Sequence, residues 1–386
     1  MLYEIHMLKN YPATNLNRDD TGSPKTCYFG GSQRGRISSQ CLKRTWRTSD
    51  LFKALESLGC RSRMLPELVG HNLKEMGVED SFIEHAKLII KDIAKSNKNN
   101  DDENNDKKSK KENKNKKDVT TKQAVFFSPD DVQCLTEKTK ELIDQCANIN
   151  EFKKMTKDNI IELTKKAPAR DITLDIALFG RMVTSDAILN VEASMQVAHA
   201  VSTHPVNLES DYFTAVDDLL GMTEETQGAD MIGDIDYNSC CYYIYASLDV
   251  DKLKENLKDS PDALAKVEQL IPVLLRVMAM SNPSGKQNTF AGHVMPEAIM
   301  VECKKDKIPL SYANAYAEAV SRTSRKVVQD SIDKLVAEVN LMDRCYALKP
   351  LHRGWMALRS NEHPDACECF ANFDELLNAC ADWMKE

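Results

Sequence analysis

No stretch of this sequence approaches the ~18 consecutive apolar residues needed to cross a bilayer. The start, MLYEIHMLKNYPATN, shows no basic n-region followed by an apolar h-region, so it does not read as a secretory signal. Both absences point to a cytoplasmic protein without a membrane partner. Twelve cysteines are present, but spacings such as Cys240–Cys241 and Cys367-Glu-Cys369 fit neither a disulfide framework nor the C-x-x-C pairs of a zinc site. A metal cluster at His363, Cys367 and Cys369 is the alternative. Reduced cytosolic thiols are the reading preferred here, with no metal and no cofactor. Two phosphate-binding signatures are also missing: G-x-x-x-x-G-K-[ST] of the Walker A loop and G-x-G-x-x-G of dinucleotide folds. His6, His199, His204, His293 and His352 lack companions at the spacing of a catalytic pair, and no fixed-period repeat is visible.

The 386 residues suffice for one large core or two modest domains. YEIHML alternates as a strand does. A polar loop follows, then a short strand at Cys27–Phe29, the Gly30-Gly31 turn and a returning strand in RGRI. SSQCLKRTWRTSDLFKAL reads as a helix capped by Ser38 or Ser39. Residues 61–94 and 129–166 read as helical. Between them, residues 95–118 consist only of Lys, Asn, Asp, Glu and Ser and predict a disordered loop, because nothing in it can be buried. DITLDIALFGRMV has strand character, VEASMQVAHAVSTH helical spacing, and CCYYIYASLDV strong β propensity. SPDALAKVEQLIPVLLRVMAM is an amphipathic helix, a Gly/Ser/Asn-rich loop follows it, and the remainder reads as mostly helical. Strands separated by helices and interrupted by insertions predict an α+β core.

Charge is distributed unevenly. Seven Lys/Arg and two Asp fall between Arg18 and Arg47, about +5 in a chain of net charge −8, so the remainder carries about −13. On a helix, Leu42 and Trp46 form a buried stripe, and Lys43 and Arg47, four apart, place like charges on the neighbouring face. An anion against that face removes their mutual cost. Ser38, Ser39 and Gln40 sit at the helix start, where orphan N–H groups and the dipole favour anions. Arg18 and Lys25 on the preceding loop are within reach of the same ligand. The pattern suits the phosphates of a nucleic-acid chain better than a single phosphate; a merely solvated basic face is the alternative.

The segments LNRDDTGSPKT–FGGSQRGRISSQCLKRTWR, DIALFGRMVTS, AHAVSTHPV–YFTAVDDL and GKQNTFAGH, in that order, resemble the signatures of the CasC family, the backbone subunit of the type I-E CRISPR Cascade complex and a branch of the RAMP superfamily. The likeness runs from Ile5 to about Tyr316. Residues 95–118 depart from the family pattern, and the last 60 or so residues match weakly.

This resemblance implies a hand-shaped α+β fold. The palm, a modified RNA-recognition-motif (ferredoxin-like) sheet, would be 1–60 and 167–386. Helical fingers would be 61–166, and a long thumb loop about 203–236. It implies a subunit that polymerises with further copies of itself along crRNA, beside other Cascade subunits, and displays the guide for pairing with target DNA. Arg18, Lys25, Ser38, Gln40, Lys43, Arg47 and Arg181 match crRNA-gripping positions, and Lys286 and Gln287 are candidates for contact with RNA or the DNA paired to it. Met182, Phe213, Thr214 and Ile232 match an apolar wedge that separates one nucleotide from the stack. The alternative for Phe213 and Ile232 is stapling of the loop to its own palm. Tyr242, Tyr243 and Tyr245 read as sheet packing rather than a base-stacking box. No catalysis is implied. The rival is a metal-dependent RNA-cleaving enzyme on the same fold using Asp19 and Asp20, although these can instead orient the arginines.

Overall fold

The computed structural model describes residues 1–55, 58–93, 119–167, 170–183, 186–215, 231–260, 263–321 and 323–385. The Lys/Asn-rich run 95–118 and thumb residues 216–230 lie outside the described residues. Contacts gather the chain into two compact units. One comprises Met1–Leu55, Met195–Asp251 and Leu264–Glu386; the other comprises Glu56–Ser194 and Lys252–Ala263.

The first unit is organised by a ten-stranded sheet. Its strands are β1 (Leu2–Thr14), β2 (Thr26–Phe29), β3 (Ser32–Ile37), β6 (Met195–Val197), β7 (Ala200–Ser202), β8 (Glu209–Ala215), β9 (Met231–Asp249), β10 (Ala298–Lys304), β11 (His352–Ala357) and β12 (Glu368–Cys369); β4 (Cys60–Ser62) and β5 (Val125–Phe127) form a separate ribbon in the second unit. The main order is β12-β11-β10-β1-β9-β7-β3-β2, with β6 and β8 also paired to β9. All pairings in the large sheet are antiparallel except β11 with β12. β1 is central and buried on both faces from Leu2 to Leu8. Leu8, Tyr243, Tyr245, Met300 and Trp355 pack with Tyr312 and Tyr316 and with Ile332, Leu335 and Val339 of the helix Val327–Tyr346. The three strand tyrosines therefore belong to the sheet and its packing, with Tyr242 also buried.

β9 serves twice. Residues 238–249 run beside β1, whereas residues 231–237 pair with β8 as a two-stranded ribbon. Within the stretch expected to be a long thumb loop, residues 209–215 and 231–236 are thus paired as a ribbon. Two other local expectations reverse. DITLDIALFG contains the helix Leu174–Phe179, and VEASMQVAHAVSTH contributes strands β6 and β7. The C-terminal region, expected to be mostly helical, also supplies β10, β11 and β12.

The second unit is mainly helical, with Leu65–Glu75, Asp80–Ile93, Pro129–Asp144 and Lys157–Lys165 as its longer helices. Its core gathers Leu73, Ile90, Leu135, Phe152 and Ile160 around Phe127, and Ala187 and Ile188 join the same cluster.

Candidate nucleic-acid interface

Helix Ser39–Arg47 forms where the sequence predicts it. Ser38 is the N-cap, its Oγ accepting from the Cys41 N–H at 3.3 Å, and Leu42 and Trp46 are buried. The helix start is more fully satisfied than expected. The Ser38 N–H donates to Asn17 Oδ1 at 2.8 Å, and the Ser39 N–H donates to His199 Nδ1 at 3.2 Å. Ser38 itself is 6% exposed. Three backbone donors around this terminus are therefore spent within the protein, which leaves the Gln40 N–H and the cationic side chains to attract an anion. Burial, followed by the neighbouring Arg36 and Lys25, pushes the His199 imidazole below its ordinary range, which keeps it neutral and able to accept.

The loop before β2 is built as a rigid hairpin. Arg18 bridges Pro24, Asp19 N–H donates to Ser23 C=O at 2.9 Å, and Lys25 N–H donates to Asn17 C=O at 2.8 Å. Asp19 Oδ1 accepts from the Thr21 N–H and hydroxyl and from the Ser23 N–H. This carboxylate closes the loop instead of reaching for the arginines. Asn15 donates to the Asp236 carbonyl at 2.8 Å, and Ser23 donates to the Asp236 carboxylate at 2.5 Å, so the hairpin is fastened to β9.

A third segment docks onto the first two. In SNPSGKQNTFAGH, residues 281–293, Gly285 lies so close that a Cβ there would run into the Leu16 carbonyl, and a Cβ at Gly292 would run into Thr14 Cγ2. Only glycine permits that approach. Lys9, fully buried in β1, donates to the Ser281 carbonyl at 3.1 Å. The result is an open cleft of ≈ 690 Å³ that Arg18 and Asp19 share with Arg44 and Thr45 of the helix and with Ser284 and His293 of the glycine-rich loop.

Arg44 is the residue that sequence reasoning missed. Cys41, Arg44, Thr45 and Thr48 share the helix face that lines the cleft, on the opposite flank of the Leu42/Trp46 stripe from Lys43 and Arg47. The signal was present, since Arg44 is one of the seven Lys/Arg between Arg18 and Arg47, but the four-residue spacing of Lys43 and Arg47 singled out that pair instead. Gln40 and Arg18 are exposed, and Lys25, Lys43, Arg47 and Lys286 are half-buried.

Besides Ser38, two further expected RNA ligands are engaged within the protein. Gln287 is one: its amide donates to the Pro283 carbonyl at 2.8 Å and the Gly292 carbonyl at 3.3 Å, bracing its own loop. Arg181 is the other. It is 6% exposed in the second unit, pairs with buried Asp131, and donates to the Leu189 carbonyl at 2.8 Å. Its neighbour Met182 is 91% exposed. The basic excess is likewise smaller than the count suggests, because Arg34 is fully buried and donates to Ser32, Ser202 and Tyr316.

Phe213 and Thr214 lie in β8, opposite Gly233 and Ile232 of β9. The Phe213 ring is half-buried over Gly233, while Thr214 is exposed. Among the described residues one group, His363, Cys367 and Cys369, brings three possible metal-ligand atoms within 4.8 Å of one another. It shares no residue with the cleft.

The fold is that of chains found in CRISPR RNA-guided surveillance complexes. One chain of a solved "CRISPR RNA-guided surveillance complex, pre-nicking" superposes with a TM-score of 0.80 at 24% identity, covering 99% of this chain and 100% of that one. A chain of a second "CRISPR RNA-guided surveillance complex" gives 0.71 at 20% identity, again over 99% and 100%. At these identities the likeness is one of fold. The CT1975-like protein family profile matches residues 3–383, and the chain belongs to that family. No curated protein matches it. Among the described residues, no helix is long and apolar enough to cross a membrane.

Proposed function

We propose that this protein is the backbone subunit of a type I-E Cascade complex in CRISPR antiviral defence. It is a RAMP-superfamily protein that polymerises along crRNA, holds the guide's phosphate chain, and displays its bases to target DNA. The observation that carries this reading is the cleft in which Arg18, Arg44 and the glycine-rich loop converge, on a fold shared with surveillance-complex chains. Sequence recognition in such a system belongs to base pairing, so the protein needs cations and shape rather than readers of base edges. Arg18, Lys25, Gln40, Lys43, Arg44, Arg47 and Lys286 supply the backbone contacts. Ser38 acts through the helix it caps.

Residues 1–60 and 167–386 are the RNA-recognition-motif-like palm, residues 61–166 the helical fingers, and the β8–β9 ribbon is part of the thumb, about 203–236. Phe213, Thr214 and Ile232 on that ribbon, and separately Met182, are the apolar residues assigned to nucleotide wedging. The exposure of Met182 beside a firmly anchored Arg181 supports this role. The subunit is a non-catalytic scaffold: Asp19 closes its own loop through Thr21 and Ser23.

The test is to mix the purified chain with a CRISPR-repeat-flanked RNA and with an unrelated RNA of equal length, with and without Mg²⁺. Mass is read by light scattering and RNA integrity by gel. Intact RNA within a regular multi-copy particle is expected. Metal-dependent cleavage, or no RNA binding, overturns the proposal.

A further inference from the structure

The segment HPDAC-E-C, residues 363–369, lies between the helix Val327–Tyr346 and the helix Phe373–Asp382, and both its ends are fastened. Asp365 N–H donates to Asn340 Oδ1 at 2.8 Å, and the Asp365 carbonyl accepts from Arg353 at 3.0 Å. At the other end Glu368 and Cys369 pair with Gly354 and Trp355 of β11, and Phe370 N–H donates to the Trp355 carbonyl at 2.9 Å. Between these anchors Ala366 adopts φ = +49°, a conformation that costs an alanine energy and turns the chain back on itself. The turn carries Cys367 to within 3.6 Å of His363 Nδ1. Cys367 and Cys369 are two apart on extended chain, so both thiols project to one side, and their sulfurs are 3.7 Å apart.

Those spacings match a metal tetrahedron. With Zn–S of about 2.3 Å and Zn–N of about 2.0–2.1 Å, tetrahedral edges come to about 3.8 Å for S···S and about 3.5 Å for S···N. The geometry points to a binding site for a thiophilic divalent cation, zinc by its donor set, held by His363, Cys367 and Cys369. The sequence spacing favoured free thiols because H-x-x-x-C-x-C is not the usual paired pattern; the Ala366 turn brings the donors together despite it. His363 and Cys369 are exposed and Cys367 half-buried, so the fourth position faces solvent and takes water or an external ligand. On binding, each thiol releases its proton to solvent. His363 Nδ1, which lies 3.0 Å from the Pro364 carbonyl, gives up that contact on binding: its proton passes to solvent, Nε2 takes one up, and the Nδ1 lone pair faces the metal. The site stiffens the β11–β12 edge of the sheet.

The experiment uses the full chain, reduced and stripped of metal, titrated with Co²⁺ as a spectroscopic probe and then with Zn²⁺. One equivalent of cobalt should bind with a thiolate-to-cobalt charge-transfer band and tetrahedral visible bands, and zinc should bleach both. Cys367→Ser with Cys369→Ser should abolish the charge-transfer band, and His363→Ala should weaken binding. Cys60→Ser with Cys345→Ser, which removes two other exposed thiols, should leave the spectrum unchanged. Failure of the reduced chain to take up cobalt overturns the assignment, as does an unchanged band in the Cys367/Cys369 double variant. Circular dichroism of each variant separates loss of the site from loss of the fold.

Discussion

Asn17 accepts the backbone N–H of Ser38 at 2.8 Å, and this bond fixes the Arg18 hairpin against the start of helix Ser39–Arg47. Asn17→Ala removes a positioning contact but no charge. It should lower stability by about 1 kcal/mol, the worth of an ordinary protein hydrogen bond. RNA binding should weaken while the dependence of log affinity on log salt keeps its slope, since no phosphate contact is lost. Urea denaturation and binding at several salt concentrations check both parts. A changed slope would mean that Asn17 does more than position.

The glycine-rich loop depends on close backbone approach. Gly285→Ala places a methyl group against the Leu16 carbonyl and should cost about 1–3 kcal/mol, as overpacking does. Ser284→Ala, at the exposed neighbour, should be nearly neutral. Thermal melts of the two variants, with limited proteolysis across 281–293, distinguish a docked loop from a flexible one. Equal melts would contradict docking.

Arg181 and Met182 are adjacent yet should behave oppositely. Arg181→Ala removes one partner of buried Asp131, which keeps Arg170 at 3.2 Å and the Ser128 N–H at 2.8 Å, and should destabilise by about 1–3 kcal/mol, as losing a hydrogen bond to a buried charged group does. Met182→Ala should leave stability within about 0.5 kcal/mol, the usual range for exposed positions, but alter chemical probing of bound RNA. Denaturation and probing of both variants decide. A destabilised Met182→Ala with unaltered RNA reactivity would count against the wedge.

His6 predicts a pH dependence. Its imidazole is fully buried, with Nδ1 2.8 Å from the Tyr243 hydroxyl and Nε2 3.9 Å from Glu302. Burial pulls its pKa down to about 3; Glu302 opposes the shift, whereas Lys304 and Arg353 add to it. Below pH 6.5 the unfolded chain therefore takes up a proton that the native state refuses. Stability should fall as the pH drops from about 6.5 towards 3, by about 2 kcal/mol at pH 5. Glu302 is itself depressed below the usual glutamate value, and His199 and His85, also lowered by burial, add to the fall between pH 6.5 and 4.5, so the His6 share is the difference between the wild-type and His6→Gln chains. His6→Gln should flatten the slope there, measured by urea midpoints at successive pH values. An unchanged slope would assign it to other groups.

The sequence was most legible where one residue type has one use. Ser38 before a Leu42/Trp46 stripe announced a capped helix, and the aromatic, β-branched run in β9 announced a strand. It was least legible where pairing overrides local pattern. β6 and β7 are three residues each, too short for alternation to show, and they exist because β9 offers edges to pair with. β10 is buried on both faces and so never alternates. In the cleft, Arg18 could be named from charge density alone. Arg34 and Arg181 could not be told from it, because whether an arginine meets phosphate or a buried carbonyl or carboxylate is decided by residues far along the chain, such as Tyr316 and Asp131.

The most direct test of the account is the salt dependence of crRNA binding by Arg18→Ala/Arg44→Ala against the wild-type chain. Each lost phosphate contact on single-stranded RNA should lower the slope of log affinity against log salt by about 0.7, so the double variant should bind more weakly and with a slope reduced by about 1.4. An unchanged slope would mean that the cleft does not hold the RNA backbone.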